Sequence, residues 1–274
     1  MFEIDRIIQN ALQEDLGLGD VTTLATIEPG TISRAELVAK EDFVMSGIDV
    51  AARVFALLDG QVAFEKLRED GFSVQRGEVL AWLKGDAQVL LQGERVALNL
   101  MQRMSGITTH TARFVKEIGD TGAAVVDTRK TTPGLRCLEK YAVRMGGGRN
   151  HRTSLYDGVL IKENHIAAAG GIATAVERSR QRAPHTLRVE VETTNLAEVE
   201  EALTAGADII MLDNMDLATM REAVLLIDKR ALSEASGGVT LKTVRAIAET
   251  GVDYISVGAL THSSRAVDIS MLFQ

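Results

Sequence analysis

Basic side chains concentrate in three short stretches of a chain that is acidic overall. The formal net charge is −8, yet TRKTTPGLR, KYAVRMGGGRNHR and IKENH bring cations close together in sequence. The cations of interest are Arg129, Lys130, His151, Arg152 and Lys162. Arginine binds carboxylates through a planar two-pronged fork, and lysine acts as a point charge. These stretches indicate a site for a small, multiply anionic molecule.

The segment KYAVRMGGGRNHR also has a simpler explanation. A helix whose C-terminal end is basic and is stopped by glycines would show the same residues, because cations favour the negative end of the helix dipole. The anion site is favoured by Arg129 and Lys162, which follow predicted strands. Cations that meet in one cavity repel each other until a dicarboxylate or a phosphate binds between them.

Two neighbouring predicted strands provide carboxylates. Glu190 and Asp213 provide negative charge that would stabilise a cationic sugar carbon or hold Mg²⁺ with its waters. The alternative is an ion pair between one of them and Lys162. For Glu192 and Glu234 the sequence does not decide between a functional and a structural role.

Two loops late in the chain, in EASGG and SVGALTHS, contain glycines after a strand. Ser236, Gly237 and Gly258 stand there, and a helix is predicted to begin near Thr240. Glycines allow backbone N–H groups to approach a phosphate closely, and late-strand loops of α/β barrels often bind phosphate. An ordinary turn between a strand and a helix remains the alternative for either loop.

The elements that must position these residues are short apolar runs separated by helical segments. The runs are AAVVD, GVLIK, LRVEV, DIIML, ALSEA and DYISV. Continuous apolar runs indicate parallel strands that are covered on both faces. Six such units favour an α/β barrel, in which catalytic groups follow the C-terminal ends of strands. An open doubly wound sheet is the structural alternative, although no dinucleotide-binding glycine fingerprint follows any run.

The first hundred or so residues have a different pattern. A helix is followed by short strands at AELVAK, FVMSG, QVAFEKL and EVLAWLKG, which predicts a small α+β domain. A long helical region from Gln88 to Lys116 follows, with an interruption predicted near Ser105-Gly106. We therefore predict an N-terminal domain over residues 1–103 and a barrel domain over residues 104–263.

Composition excludes several classes of protein. The acidic charge and the 4% aromatic content argue against nucleic-acid binding. No apolar run reaches the length of a membrane span, and the N-terminal stretch has no export-signal pattern, so we expect a cytoplasmic protein with no membrane partner. The single cysteine, Cys137, cannot form an intrachain disulfide or seed a zinc site.

These motifs, in this order, resemble the quinolinate phosphoribosyltransferase family over nearly the whole chain. EDLGLGDVTT and GERVALNLMQRMSGI also resemble that family's N-terminal domain and linking helix. The resemblance implies an incomplete parallel α/β barrel with an N-terminal open-faced α/β sandwich, to which the tail 264–274 returns. It also implies the joining of quinolinate to phosphoribosyl pyrophosphate with Mg²⁺, to give nicotinate mononucleotide, pyrophosphate and CO₂ in NAD synthesis, without an organic cofactor.

The resemblance assigns a role to each cluster. Arg129, His151, Arg152 and Lys162 would hold the carboxylates of quinolinate, and Thr128 would help to position the ring. Lys130 would meet phosphate oxygens of the sugar donor, while Glu190 and Asp213 would face the ribose hydroxyls and the shell of the metal. Lys130, Lys162, Glu190 and Asp213 are thus the predicted catalytic residues. Ser236, Gly237, Gly258 and His262 would surround phosphate.

Arg95 lies in the linking helix, before the first barrel strand. Its simpler explanation is a solvated side chain paired with Glu94. In the family the corresponding arginine enters the site of the neighbouring subunit, and ERVALN matches here. The resemblance therefore implies a homodimer, or a larger assembly of dimers, with active sites shared between subunits.

Three other functions compete with this one. A related paralogue associated with molybdenum transport shares the fold, but the intact TRK and GGGRNHR segments count against it. A sensor or scaffold without activity is a second alternative, since a fold does not dictate function. A Schiff-base aldolase would also use a barrel lysine such as Lys162, but would require that amine to be desolvated and not surrounded by cations and acids.

Overall fold

The computed structural model describes residues 2–274 and divides them into two compact units. The first unit runs up to Ala112 and also contains Thr131–Gly147 and Ser263–Gln274. The second unit contains Arg113–Lys130 and Gly148–His262. The domain prediction placed residues 131–147 in the barrel domain, whereas in the structure they belong to the first unit.

The first unit is built on a four-stranded antiparallel sheet with the order β12-β1-β5-β3. A separate pair, β2-β4, is also antiparallel. The C-terminal strand β12 pairs with β1, with Ala35 opposite Phe273. The elements of this unit are α1 (Phe2–Leu16), α2 (Val21–Thr26), β1 (Ile32–Ala39), β2 (Phe43–Val44), α3 (Ile48–Leu58), β3 (Ala63–Lys66), β4 (Ser73–Val74), β5 (Val79–Asp86), α5 (Arg136–Met145) and β12 (Ile269–Phe273).

The long helix α4 (Ala87–Ile118) is continuous over 32 residues. The predicted interruption near Ser105-Gly106 is therefore wrong, and the predicted boundary at 103/104 lies inside this helix. Gly106 has a packing reason instead, because a Cβ there would lie 2.0 Å from the backbone oxygen of Arg265. The glycine lets the C-terminal segment cross the helix at van der Waals distance.

The second unit contains the six predicted parallel strands, which form one sheet with the order β6-β11-β10-β9-β8-β7. Its elements are β6 (Ala124–Val126), β7 (Val159–Ile161), α6 (Glu163–Ala169), α7 (Ile172–Arg182), β8 (Val189–Thr193), α8 (Leu196–Thr204), β9 (Ile209–Asp213), α9 (Leu217–Ile227), β10 (Leu232–Ser236), α10 (Val244–Ala248), β11 (Tyr254–Ser256) and α11 (Ala259–His262).

This strand order is that of an incomplete barrel. Strands that follow each other in sequence are neighbours from β7 to β11, and β6 then lies beside β11. Closure of the circle would require β6 to pair with β7, but both are edge strands of the sheet within residues 2–274. The predicted fold, an incomplete parallel α/β barrel with an N-terminal α+β open-faced sandwich domain, is confirmed, and the sheet of the N-terminal domain is antiparallel.

Local sequence explains how the barrel helices begin. Asn195 caps α8 by accepting a hydrogen bond from the backbone N–H of Glu198 at 3.0 Å, and Asp216 caps α9 through Thr219 N–H at 2.8 Å. Strand β9 is buried over its central residues, as expected for a strand with both faces covered. Within residues 2–274, no helix combines the length and apolar character needed to cross a membrane.

Replacement of Gly106 by alanine tests the crossing of α4 by the C-terminal segment. Alanine is the better helix former by about 1 kcal/mol, but its Cβ would overlap the Arg265 carbonyl oxygen, and overpacking of this kind costs about 1–3 kcal/mol or more. We expect Gly106→Ala to lower the free energy of unfolding in urea. The control is Gly60→Ala, where a Cβ meets no atom within 4 Å, and an equal loss in both variants would contradict the explanation.

Candidate functional site

The main cavity of the second unit, about 810 Å³, lies at the C-terminal ends of the barrel strands. Its lining includes most of the residues that the sequence singled out. Those residues are Thr128, Arg129, Lys130, His151, Arg152, Lys162, Asp213, Ser236, Gly237, Gly258 and His262. Glu192 and Glu234 also line it, whereas Arg95 is exposed on α4. Cations from separate loops therefore line one cavity.

The guanidinium groups of Arg129 and Arg152 repel each other in this cavity. Burial, and secondly the charge of Arg129, lower the pKa of the Arg152 guanidinium. Arg152 Nη1 donates to the backbone oxygen of Gly158 at 3.1 Å, which holds the side chain in place. Two guanidinium groups that oppose each other in a partly buried space favour the binding of an anion.

The loop that carries His151 and Arg152 is fixed by Asp127, which is buried at the end of β6. Asp127 Oδ1 accepts a hydrogen bond from His151 N–H at 2.9 Å, and its Oδ2 accepts one from Asn150 Nδ2 at 2.6 Å. Arg149 also forms a parallel bridge with Val126 of β6. Asp127 is a functional residue that was not predicted, although it is the only charged residue of the run AAVVD.

Lys162 lies at the N-cap of α6 and forms an ion pair with Glu192. The alternative in which Glu190 or Asp213 binds Lys162 is therefore not what the structure shows. Glu192 is the third residue after Val189 on β8 and reaches the cavity, so it occupies the place that the sequence assigned to Glu190.

Glu190 lies below the main cavity, in the interior of the barrel. The residue is 4% exposed, and its Oε2 is 2.9 Å from Nε2 of His151. It lines a second cavity of about 350 Å³, which also contacts Val159 and Ile209, the first residues of β7 and β9. The expectation that Glu190 faces the ribose and the metal at the cavity mouth does not fit this placement.

Glu234 is in the middle of β10 and not at the strand end where the sequence placed it. Its side chain is buried, and its Oε1 lies 3.7 Å from Nε2 of His151. Burial, and secondly the negative charge of Glu190, raise the pKa of Glu234 to about 7. His151, the Ser256 hydroxyl and Lys162 act in the opposite direction.

Asp213 ends β9 and lines the cavity as expected. Its Oδ2 accepts a hydrogen bond from Asn214 Nδ2 at 2.7 Å, and Asn214 itself has a left-handed φ of 53°. Gly237 lies against the side chain of Asn214, since a Cβ at Gly237 would be 2.2 Å from Asn214 Oδ1. The glycine is thus required by a close approach between two strand-end loops.

The second glycine loop brings Gly258 next to His262 and Lys130. A Cβ at Gly258 would lie 3.2 Å both from His262 Nε2 and from Lys130 Cδ. Thr261 Oγ1 donates to the backbone oxygen of Lys130 at 2.7 Å, which joins this loop to the one after β6. The helix predicted near Thr240 begins later, at Val244, and has five residues, so the loop amides rather than a helix end border the cavity.

Comparison with known proteins gives the family. A model described as the C-terminal domain of quinolinate phosphoribosyl transferase matches residues 107–272, and the model of the N-terminal domain matches residues 20–105. The chain belongs to the quinolinate phosphoribosyltransferase family. The predicted resemblance is confirmed.

Individual relatives in this family match over nearly their whole length. The chain is 49% identical to a probable nicotinate-nucleotide pyrophosphorylase [carboxylating] of Synechocystis, covering 98% of this chain and 92% of the relative. It is 46% identical to the protein of that description from Bacillus subtilis, covering 98% and 93%. The structure of NadC from Streptococcus pyogenes matches with a TM-score of 0.96 and 43% identity, covering 100% of this chain and 97% of that one.

The pKa of Glu234 gives a prediction about stability. The folded state keeps the proton up to about pH 7, whereas an unfolded glutamate loses it near its ordinary pKa of 4.5. Between these values the unfolded state binds fewer protons, so the contribution of Glu234 to stability falls as the pH rises. Glu234→Gln cannot ionise and lacks this loss. We therefore expect its free energy of unfolding to improve relative to the wild type between pH 5 and pH 7.

Urea titrations of both proteins at several pH values measure this difference. Above about pH 7 the two curves should run parallel, because Glu234 is then ionised in both states of the wild type. A constant difference between the two proteins from pH 5 to pH 7 would contradict a proton on the buried Glu234.

Proposed function

We propose that the chain transfers the phosphoribosyl group of phosphoribosyl pyrophosphate to quinolinate. The products would be nicotinate mononucleotide, pyrophosphate and CO₂, in NAD biosynthesis. Membership of the family supports this activity. The observation that carries it in the structure is a single cavity lined by the guanidinium and ammonium groups of Arg129, Arg152, Lys130 and Lys162 together with the carboxylates of Glu192 and Asp213.

Quinolinate would bind among the cations. Arg129, Arg152 and Lys162 line the same cavity, and a dianion would relieve the repulsion by Arg129 that, after burial, lowers the pKa of Arg152. Charge-assisted hydrogen bonds of this kind are worth about 1.5–3 kcal/mol each. Thr128 also lines this cavity, and its hydroxyl accepts a hydrogen bond from Lys130 N–H at 3.0 Å, which would hold the side chain that positions the ring.

The sugar donor would bind at the glycine loops. Ser236, Gly237, Gly258 and His262 line the same cavity and leave room for phosphate oxygens near backbone N–H groups. The aliphatic part of the Lys130 side chain lies beside Gly258, and its ammonium group would add a positive charge there. Glu192 and Asp213 would then favour positive charge at the anomeric carbon as pyrophosphate leaves.

Mg²⁺ would bind in this cavity through Asp213. The ion commonly binds one or two carboxylates together with substrate phosphates and keeps several waters. Asp213 is half-buried and its carboxylate lines the cavity, while Glu190 lies in the barrel interior and is not placed for this role. When bound, the ion would neutralise charge on the departing pyrophosphate.

The chemistry would proceed in two steps. The pyridine nitrogen forms a bond to the anomeric carbon as the bond from that carbon to pyrophosphate breaks. The nitrogen is then cationic, so it stabilises the electron pair left on the neighbouring ring carbon when the adjacent carboxylate departs as CO₂. A proton from solvent completes that carbon. The cations of the cavity hold the second carboxylate of the ring during both steps, and no organic cofactor is needed.

Incubation with quinolinate, phosphoribosyl pyrophosphate and Mg²⁺ tests the activity, with nicotinate as the control acceptor. We expect nicotinate mononucleotide and CO₂ from quinolinate, and activity on nicotinate instead would refute the assignment.

The Arg152→Lys variant loses the two-pronged guanidinium fork that would bind a carboxylate of quinolinate. We therefore expect its KM for quinolinate to rise about ten-fold, with the KM for the sugar donor unchanged. The matched control is the exposed Arg221→Lys.

We further propose a homodimer in which Arg95 of one subunit enters the site of the other. Arg95 is exposed on α4, as such a role requires. We expect Arg95→Ala and Asp213→Ala to be inactive when each is alone. When equal amounts of the two variants are mixed and exchange subunits, about half of the dimers are mixed. One of the two sites in each mixed dimer has both residues, so about a quarter of the wild-type activity should return. Mixed dimers that form without regaining activity would refute the shared site.

A further inference from the structure

Both ring nitrogens of His151 are held by groups of the second unit. Nδ1 accepts a hydrogen bond from the backbone N–H of Arg152 at 2.8 Å, so this nitrogen carries no proton. Nε2 lies 2.9 Å from Glu190 Oε2 and therefore donates to it. A neutral imidazole has one donor and one acceptor nitrogen, and these two contacts select the tautomer with the proton on Nε2.

A second buried carboxylate lies next to this pair. Glu234 Oε1 is 3.7 Å from the same Nε2, and within residues 2–274 neither this oxygen nor Glu190 Oε1 has a hydrogen-bond partner. One ligand atom from each of His151, Glu190 and Glu234 lies within 4.8 Å of the others. Two ionised carboxylates this close in a buried place repel each other strongly, and a proton held by one of them removes that repulsion.

The charges around the pair indicate which carboxyl keeps the proton. Glu190 Oε2 accepts the N–H of His151 and its carboxyl group lies near the guanidinium of Arg152, so a hydrogen-bond donor and a positive charge both face Glu190. Glu234 is the more deeply buried of the two, at 2% exposure against 4%. Lys162 and the Ser256 hydroxyl are its other polar neighbours, and the burial and negative charge beside it outweigh them.

We propose that Glu190 and Glu234 form a carboxyl pair with one proton, in which the charged Glu190 fixes the tautomer and orientation of His151 beneath the quinolinate position. Both are positioning residues, and their effect on quinolinate binding rests on the function proposed above. The ring in turn holds the main chain of Arg152, whose guanidinium lines the main cavity. The pair thereby sets where a cation meets the acceptor.

His151 and Glu234 line both cavities of the second unit, and Glu190 lines the smaller one. The three side chains therefore separate the substrate side of the barrel interior from the side at the strand N-termini. In this arrangement His151 contributes to the site through Arg152 and through its position in the cavity wall. The direct binding of a carboxylate by its ring nitrogens, expected from the sequence, would require Nδ1 or Nε2 to leave its present partner.

The tautomer is tested on the wild-type protein without any substrate. NMR of ring-¹⁵N-labelled histidine, with His151→Gln for assignment among the five histidines, reports which nitrogens carry a proton. We expect a protonated Nε2 and an unprotonated Nδ1 for His151 from pH 6 to pH 7. A proton on Nδ1, alone or together with one on Nε2, would overturn the proposal. So would a change of these signals after dialysis against a chelator, because a metal ion would then occupy the site.

The kinetic test compares two isosteric variants. Glu234→Gln retains a hydrogen where the proposal places one, so we expect the KM for quinolinate to change by less than about three-fold. Glu190→Gln replaces a charged acceptor by a neutral one, which weakens the hold on His151 by about one factor of ten. We expect its KM for quinolinate to rise about ten-fold with the KM for the sugar donor unchanged. The control is the exposed Glu249→Gln on the same unit, which should behave as the wild type.

The outcomes separate this proposal from the proposed reaction. If the wild type does not use quinolinate, the reaction fails, while the NMR signals of His151 still decide the tautomer. An equal rise of the KM for quinolinate in Glu190→Gln and Glu234→Gln would refute the unequal roles of the two carboxyl groups. If Glu190→Gln does not fold, the wild-type NMR spectrum and Glu234→Gln decide, since a large loss of quinolinate binding in Glu234→Gln contradicts a neutral Glu234.

Discussion

Repulsion between cations is the constraint on which the site depends. Arg129 and Arg152 are brought into one cavity by separate loops, and burial together with their mutual charge disfavours the protonated state of Arg152. The barrel offsets part of this cost with carboxylates at two depths. Glu192 contacts Lys162 at the level of the cavity, whereas Glu190 lies beneath it. A dianionic acceptor completes the neutralisation, so charge balance itself selects the ligand class.

The barrel was predictable because its signal is local and repeated. Each strand is a short apolar run followed by polar residues, and burial on both faces requires that pattern. The long helix was predictable as well, but not its continuity. Gly106 looked like a break in the helix, and only the backbone of Arg265, which crosses there, explains why glycine is needed. A contact between residues so distant in sequence leaves no local pattern.

The cations of the site were also predictable, but the depth of the carboxylates was not. Glu190 and Glu192 are two residues apart on β8, so strand alternation places them on the same face. It does not state which of them reaches the end of the barrel, because that depends on the tilt and length of the strand. The same reasoning applies to Glu234, which is central in β10 and not terminal. The role of Asp127 was not predictable either, because the groups that it holds, Asn150 and His151, belong to a different loop.

The pairing of β12 with β1 has a consequence for how the protein is made. The sheet of the first unit takes its edge strand from Ile269–Phe273, at the far end of the chain from Ile32–Ala39. During translation Ile269–Phe273 are synthesised only after all six strands of the barrel. The hydrogen-bonding edge of β1 therefore waits for the whole barrel to be synthesised, and until then it is open to other strands or to chaperones.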